Sequence, residues 1–151
     1  MKDQEDILVI NPGSTTTKIA IFRSCEKGSG MQETDGHTSA SQEQNTSQLE
    51  QLFEETITHD PEQIKAMGGI FNQLEFREKL IRDTVAGKGY DLGGISAAVG
   101  RGGMIIGLHG GGYIVTPELC SAMKDPANPP HASSLGAQVA YDIATPLGVA
   151  S

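Results

Sequence analysis

The chain has 151 residues, which suits one ordinary domain, and its 37% hydrophobic content allows a buried core. A formal net charge of −8 at pH 7 argues against passive attraction to nucleic acid or to an anionic membrane. We find no apolar run near the roughly 18 residues of a membrane helix, no signal-peptide pattern and no metal-ligand spacing around Cys25 and Cys120. We therefore expect a cytoplasmic protein with free thiols and with no nucleic-acid or membrane partner.

The first predicted elements are strands. Ile7–Ile10 is a β-branched run that ends at a turn, and Thr16–Phe22 predicts a second strand that pairs with it antiparallel. Residues 24–48 are polar, with few large apolar side chains, which predicts a mobile loop. Leu52–Thr58 fits a third strand, although Leu49, Leu52 and Phe53 also fit one face of a helix.

Helices and short strands alternate in the remaining sequence. The predicted helices are Pro61–Met67 with Asp60 as N-cap, Ile70–Ala86, Pro117–Met123 and His131–Thr145. The predicted strands are Ile95–Val99 and Tyr113–Thr116. This order indicates an α/β domain with a mixed sheet.

The segment between the first two strands, residues 11–18 (NPGSTTTK), offers groups that bind phosphate. Gly13 lets the backbone turn tightly and expose N–H groups, and Lys18 adds a positive charge. Further donors come from three hydroxyls, those of Ser14, Thr15 and Thr16. Asn11 could hold a metal-bound water. The spacing is not that of the Walker loop, and an ordinary hairpin turn explains the segment as well.

A second segment places Arg101 among Gly100, Gly102 and Gly103 at the end of a predicted strand. Glycines leave room for a ligand to approach the guanidinium, which binds a carboxylate or phosphate in a bidentate manner. A glycine-rich turn with a solvated arginine is the alternative. Residues 131–134 (HASS) form a third segment, in which His131 is either a site residue or a residue that caps or packs a helix start.

No Ser–His–Asp or Cys–His nucleophile pattern is recognisable in the sequence. Phosphoryl transfer to a carboxylate requires none, because a carboxylate is already ionised at neutral pH. Charge neutralisation and alignment are the requirements of that chemistry.

These segments resemble one family. Residues 7–18 (ILVINPGSTTTK) resemble the opening of butyrate kinases, INPGSTSTK, whereas acetate kinases usually carry NCGSSS there. Residues 72–79 (NQLEFREK), 98–103 (AVGRGG) with 111–115 (GGYIV), and 131–137 (HASSLGA) resemble the same family in the same order. The chain departs from the family at residues 24–48, which resemble an insertion between the second and third strands. It departs again at Ser134, where the family usually has Asn, so a hydrogen bond in the pocket is not predicted here.

The resemblance implies a phosphotransferase with a carboxyl group as acceptor. It would use ATP or ADP and Mg²⁺ to interconvert a butyrate-type or branched short-chain carboxylate and its acyl phosphate. By the resemblance, Asn11 lies near magnesium, and Ser14, Thr16 and Lys18 lie near the nucleotide phosphates. Arg101 binds the carboxylate or the transferring phosphoryl group, and His131 borders the substrate pocket.

The resemblance also implies a ribonuclease-H-like fold in two domains, as in the acetate and sugar kinase, Hsp70 and actin superfamily. Residues 1–151 would be the N-terminal domain, ending before its last core strand, with the C-terminal nucleotide domain absent. We therefore expect little or no kinase activity from the chain alone, with a homo-oligomer or a pairing with the missing half left open. The alternatives are a non-catalytic binding or assembly module or a remnant, and an acetate or propionate kinase.

Overall fold

The computed structural model describes residues 4–25 and 48–151, so most of the predicted insertion at 24–48 lies outside the described residues. Its described strands are β1 (Gln4–Pro12), β2 (Thr16–Cys25), β3 (Gln48–Thr58) and β4 (Ala97–Gly100). Its described α-helices are α1 (Pro61–Ala66), α2 (Leu74–Gly87), α3 (Pro117–Met123) and α4 (Ser134–Ala144). The predicted α/β class is confirmed.

The four strands form one mixed sheet in the order β3-β2-β1-β4. β1 and β2 pair antiparallel along the whole of β1, as predicted, and β2 pairs antiparallel with β3. β4 runs parallel to β1, with Ile7 opposite Ala97 and Ile10 opposite Gly100. Because parallel neighbours end at the same edge of a sheet, the residues that follow β1 and β4 lie side by side.

One face of the sheet is covered by α2 and α4, which bury its alternating apolar side chains. The main core consists of Leu8, Ile10, Ile19, Ile21, Ile81, Val85, Ile95, Ala98, Val139, Ala140, Ile143 and Ala144. A smaller cluster under α3 contains Val115, Cys120, Met123 and Ala137. Burial raises the pKa of the Cys120 thiol, which fits an inert packing cysteine.

Several predicted boundaries are confirmed and others shift. The α1 helix begins at Pro61 after Asp60, whose carboxylate accepts from the Glu62 N–H at 2.9 Å. The segment Ile70–Gln73 is a 3₁₀ turn that leads into α2 rather than its first helical turn. The α4 helix begins at Ser134, three residues later than predicted.

The predicted strand Tyr113–Thr116 is wrong. Val115 N–H donates to the carbonyl of Ser151 at 2.8 Å, but no ladder of further bonds follows. The free edge of β4 is contacted instead by Ala150, through a parallel bridge to Ala97. A β-branched apolar run becomes a strand only where a neighbour supplies successive hydrogen bonds, and this run lacks them in the described structure.

Among the described residues, we find no helix with the length and apolar content needed to cross a membrane.

Candidate functional site

The turn between β1 and β2, residues 13–16 (the Gly13 turn), is closed by a backbone bond. Gly13 N–H donates to the carbonyl of Thr16 at 2.8 Å. The carbonyl of Thr15 accepts from the His59 N–H, also at 2.8 Å, which ties the turn to the end of β3. The side chains of Ser14 and Thr15 are exposed and that of Thr16 is half-buried, so their hydroxyls can reach a ligand in solvent.

A buried arginine lies beneath the Gly13 turn. Arg77 of α2 is 1% exposed and donates to the carbonyls of Ser14 at 3.0 Å and Thr16 at 2.9 Å. It also donates to Thr17 Oγ1 at 2.9 Å. The guanidinium is held in turn by Gln73 Oε1, which accepts from Nε at 3.1 Å and from Nη2 at 2.9 Å. Burial lowers the pKa of Arg77, although an arginine stays charged.

A buried histidine completes this polar cluster. His59 is 2% exposed, and its Nε2 lies 2.8 Å from Thr17 Oγ1. Because Thr17 Oγ1 already accepts from Arg77, its hydroxyl proton is free to be donated to the His59 ring. Burial, and to a lesser degree the charge of Arg77, lowers the pKa of His59, which favours the neutral imidazole that this bond needs.

Lys18 lies on the sheet face away from α2 and α4, directly opposite Asn11 in the β1–β2 register. Its Nζ is 3.1 Å from Glu54 on β3, and both side chains are roughly half exposed. An exposed ion pair of this kind is weak, so the ammonium group remains available to an anion.

Arg101 follows β4 immediately, and its N–H donates to the carbonyl of Ile10 at 2.9 Å. Its Nη1 lies 3.5 Å from Asn11 Oδ1, a long contact, and the side chain is exposed. The structure therefore brings Arg101 and Asn11 together at the shared edge of β1 and β4.

Glycines let the start of α4 pack closely against the ends of β1 and β4. A Cβ on Gly100 would lie 2.0 Å from the carbonyl oxygen of Gly136, and a Cβ on Gly136 would lie 2.3 Å from the carbonyl oxygen of Arg101. Ser134, at the position where a family asparagine was expected, is buried against Gly103, whose added Cβ would meet Ser134 Oγ at 2.0 Å. No larger residue fits between these backbones.

His131 lies just before α4 and is exposed. Its Nδ1 is 2.7 Å from Ser133 Oγ and accepts from the Ser133 N–H at 3.2 Å. His131 thus bonds to the residue that precedes α4, while its other ring nitrogen has no hydrogen bond to a described residue and stays open to a ligand.

An apolar groove of about 810 Å³ lies beside Arg101, between β4 and the segment 101–115. Its lining includes Val99, Ile105, Leu119, Met123 and the buried Val115. A guanidinium beside an apolar groove suits an anion that carries a short hydrocarbon chain.

The donor set fits nucleotide phosphates better than it fits a bare metal ion. Exposed hydroxyls of the Gly13 turn, Lys18 and Arg101 are all phosphate donors. Among residues 4–25 and 48–151 no group of three or more acidic, histidine or cysteine side chains converges on a metal position. Asn11 Oδ1 offers a single neutral oxygen, whereas magnesium is usually held by carboxylates and by substrate phosphates.

The sequence patterns missed Arg77, Gln73 and His59, which are the residues beneath the turn. One signal for Arg77 was present, because it shares the buried face of α2 with Ile81 and Val85. A charged residue at a core position of a helix indicates a buried polar partner. His59 has no comparable sequence signal.

Comparison with known proteins supports the resemblance, although no family model matches the chain. A protein from Clostridium botulinum (strain Eklund 17B / Type B), named probable butyrate kinase, is 35% identical over 145 residues, which cover 96% of this chain and 34% of that protein. A protein of the same name from Listeria innocua serovar 6a is 32% identical over 146 residues, or 97% of this chain and 34% of its own. The chain therefore spans about a third of the length of these curated relatives. The resemblance predicted from the sequence is confirmed, and this chain is a homologue of proteins named probable butyrate kinase.

Proposed function

We propose that this chain supplies the phosphate-binding part of a butyrate-kinase-type phosphotransferase. The reaction is ATP plus a short-chain carboxylate, butyrate or a branched relative, giving ADP plus the acyl phosphate, and its reverse. The observation that carries the proposal is the match of 96% of the chain to a protein named probable butyrate kinase. The convergence of the Gly13 turn, Arg101 and the α4 start at one sheet edge supports it.

The proposed roles follow from exposure and charge. The hydroxyls of Ser14, Thr15 and Thr16, with the N–H groups of the turn, bind the nucleotide phosphates, and Lys18 neutralises part of their charge. Arg101 binds the substrate carboxylate or the transferring phosphoryl group in a bidentate manner, with the hydrocarbon chain in the apolar groove. His131 borders the substrate through the ring nitrogen that Ser133 does not occupy.

These residues align and neutralise charge, and none of them has to generate a nucleophile. The carboxylate attacks the terminal phosphate in its ionised form, so no base is required. The nucleotide is expected to bring Mg²⁺, which supplies charge stabilisation. Asn11 is the residue that would orient one of its waters.

We propose a ribonuclease-H-like fold for this chain, as the first of two domains. Three antiparallel strands followed by a parallel one beside β1 are consistent with that arrangement, as is the parallel bridge of Ala150 to Ala97. Residues 24–48 would be an insertion in it. The partner would be either a further part of the same polypeptide or a second chain that supplies the adenosine site.

A chimera tests the function directly. The segment of the Clostridium botulinum relative that this chain matches is replaced by the chain, and acyl phosphate formation from butyrate, ATP and Mg²⁺ is measured by trapping with hydroxylamine. We expect activity in the chimera and little or none in the 151-residue chain alone. Arg101→Gln should reduce kcat/KM by about 100-fold or more, because a transition-state charge contact is lost.

Lys124→Gln is the control, since Lys124 is exposed, packs over the Phe71 ring and is not among the residues that line the groove. A folded chimera without activity would contradict the kinase proposal and favour a non-catalytic module. Activity with acetate or propionate that exceeds activity with butyrate would favour the other members of the acyl kinase group.

A further inference from the structure

Arg77 is an unusual group to bury, because every hydrogen bond of its guanidinium goes to a neutral oxygen. The acceptors in the described structure are the carbonyls of Ser14 and Thr16, the hydroxyl of Thr17 and the amide oxygen of Gln73. No carboxylate pairs with it within residues 4–25 and 48–151. Burying a charge without a counter-charge is costly, so packing alone does not explain an arginine at this position.

The bonds of Arg77, together with one from the His59 N–H, fix the direction of the backbone in the Gly13 turn. The carbonyl of Ser14 points at Arg77, and the carbonyl of Thr15 points at the His59 N–H. In a planar trans peptide, a carbonyl and the N–H of the next residue point in opposite directions. The N–H of Thr15 therefore points away from Arg77, and the N–H of Thr16 points away from His59, which leaves both for an anion to bind.

We infer that Arg77 is a positioning residue that holds the Gly13 turn in its phosphate-binding conformation, with Gln73 orienting the guanidinium. This inference rests on the proposed function for the turn, but the conformational part stands on the hydrogen bonds. Arg77 does not touch the ligand. It acts by drawing carbonyl oxygens inward, and its charge lies beneath the place where phosphate binds, which adds long-range attraction.

The test compares Arg77→Lys with Arg82→Lys in the full 151-residue chain. Lysine keeps the charge at position 77 but its ammonium cannot span the carbonyls of Ser14 and Thr16 together with Thr17 Oγ1. Arg82 lies on the same helix, is partly exposed and pairs with Glu78, so it controls for a change of residue type on α2.

Two measurements are made at a temperature where circular dichroism shows each variant folded. The first is amide hydrogen exchange in the Gly13 turn, compared with exchange in α4. The second is titration with inorganic phosphate, followed through the NMR shifts of the Thr15 and Thr16 amides. For Arg77→Lys we expect exchange in the turn to rise about tenfold or more with α4 unchanged, and the Kd for phosphate to rise about tenfold. Arg82→Lys should change neither.

Equal acceleration in the turn and in α4 would overturn the inference, because Arg77 would then support only global stability. An unchanged phosphate Kd in a folded Arg77→Lys chain would overturn it as well. If Arg77→Lys does not fold, Gln73→Met carries both measurements, since it removes the acceptor that orients the guanidinium while keeping side-chain volume. If phosphate does not shift the Thr15 and Thr16 amide signals of the unsubstituted chain, the proposed function is contradicted instead. The difference in hydrogen exchange between the turn and α4 would still decide whether Arg77 positions the turn.

Discussion

The buried imidazole of His59 lies next to the buried guanidinium of Arg77 beneath the Gly13 turn. The guanidinium is charged, whereas burial lowers the pKa of the imidazole and so favours its neutral form. His59 faces Thr17 at 2.8 Å and the Phe76 ring edge-on at 5.6 Å between centroids, with Arg77 bonded to the same threonine. Protonating His59 would place two cations in one buried cluster. The cluster is therefore sensitive to pH in a way that an exposed histidine is not.

The pKa of His59 is lower in the folded chain than its ordinary value of about 6.5, so the unfolded chain binds a proton first as pH falls. The stability that comes from this group is present above about pH 6.5 and is lost as pH falls from there through the folded pKa. We expect His59→Gln to show a smaller drop in the free energy of unfolding between pH 7.5 and pH 5 than the unsubstituted chain, measured by urea denaturation.

His109→Gln is the control, because His109 is exposed and should leave the pH dependence as it is in the unsubstituted chain. Identical pH profiles for His59→Gln and His109→Gln would contradict a buried neutral His59.

At the scale of residues, the sequence indicated the candidate site residues, whose roles stay predictions, but it did not indicate the buried residues beneath them. Asn11, the Gly13 turn and Arg101 were predicted from residue type and from turn chemistry, and their proximity follows from the parallel pairing of β1 and β4. Arg77 is about 60 residues from the turn in sequence, since it bonds Thr17 across a separation of 60. Such a contact depends on how α2 packs under the sheet, which no local pattern encodes.

At the scale of elements, β4 and α4 make a direct contact between their backbones. Backbone meets backbone where Gly100 faces Gly136, with no side chain between them. This contact sets the depth at which α4 lies on the sheet, and it buries nearly every residue of the helix. The two glycines are therefore required by packing, in addition to any ligand access they give to Arg101.

Gly100→Ala should lower the free energy of unfolding by about 3 kcal/mol or more, because its Cβ would lie 2.0 Å from the Gly136 carbonyl and neither backbone can yield without moving its element. Gly102→Ala is the matched control, since a Cβ there meets nothing within 4 Å. Urea denaturation of both variants measures the difference. A loss of less than about 1 kcal/mol in Gly100→Ala would show that α4 does not pack as closely as described.

Element types were largely predictable because their periodicities are local. All four described strands and all four described α-helices match predicted segments, with shifted ends. Tyr113–Thr116 fails for a nonlocal reason, because its β-branched residues favour a strand but its bonding partner is a single carbonyl of Ser151. Sheet membership depends on neighbours that are distant in sequence.

Across the whole described molecule, backbone hydrogen bonds and buried apolar side chains are concentrated in the sheet and in the two helices that cover it. β1 and β2 bond along their lengths and bury Leu8, Ile10 and Ile19 completely. The segment 101–115, in contrast, has few backbone hydrogen bonds and exposes several large apolar side chains. Those exposed side chains are Met104, Ile106, Leu108, Tyr113 and Ile114.

Hydrogen exchange should report this contrast directly. We expect amides at the centre of β1 and β2 to exchange only through global unfolding, and amides of 104–114 to exchange about a thousandfold faster or more. Ile106 N–H should be a local exception, because it donates to Asn128 Oδ1 at 2.8 Å. Fast exchange throughout Ile7–Phe22 would mean that the sheet does not form stably in the isolated chain.

Gly136 contacts two site segments at once, since a Cβ added there would lie 2.3 Å from the Arg101 carbonyl oxygen and 3.0 Å from the Pro12 ring. The α4 helix thus packs against the end of β1 and the end of β4 at the same residue. Because β1 and β4 also pair directly with each other, we expect the Asn11 side and the Arg101 side of the site to keep a fixed distance. Any opening or closing of the site would then come from other elements that move relative to α4, β1 and β4.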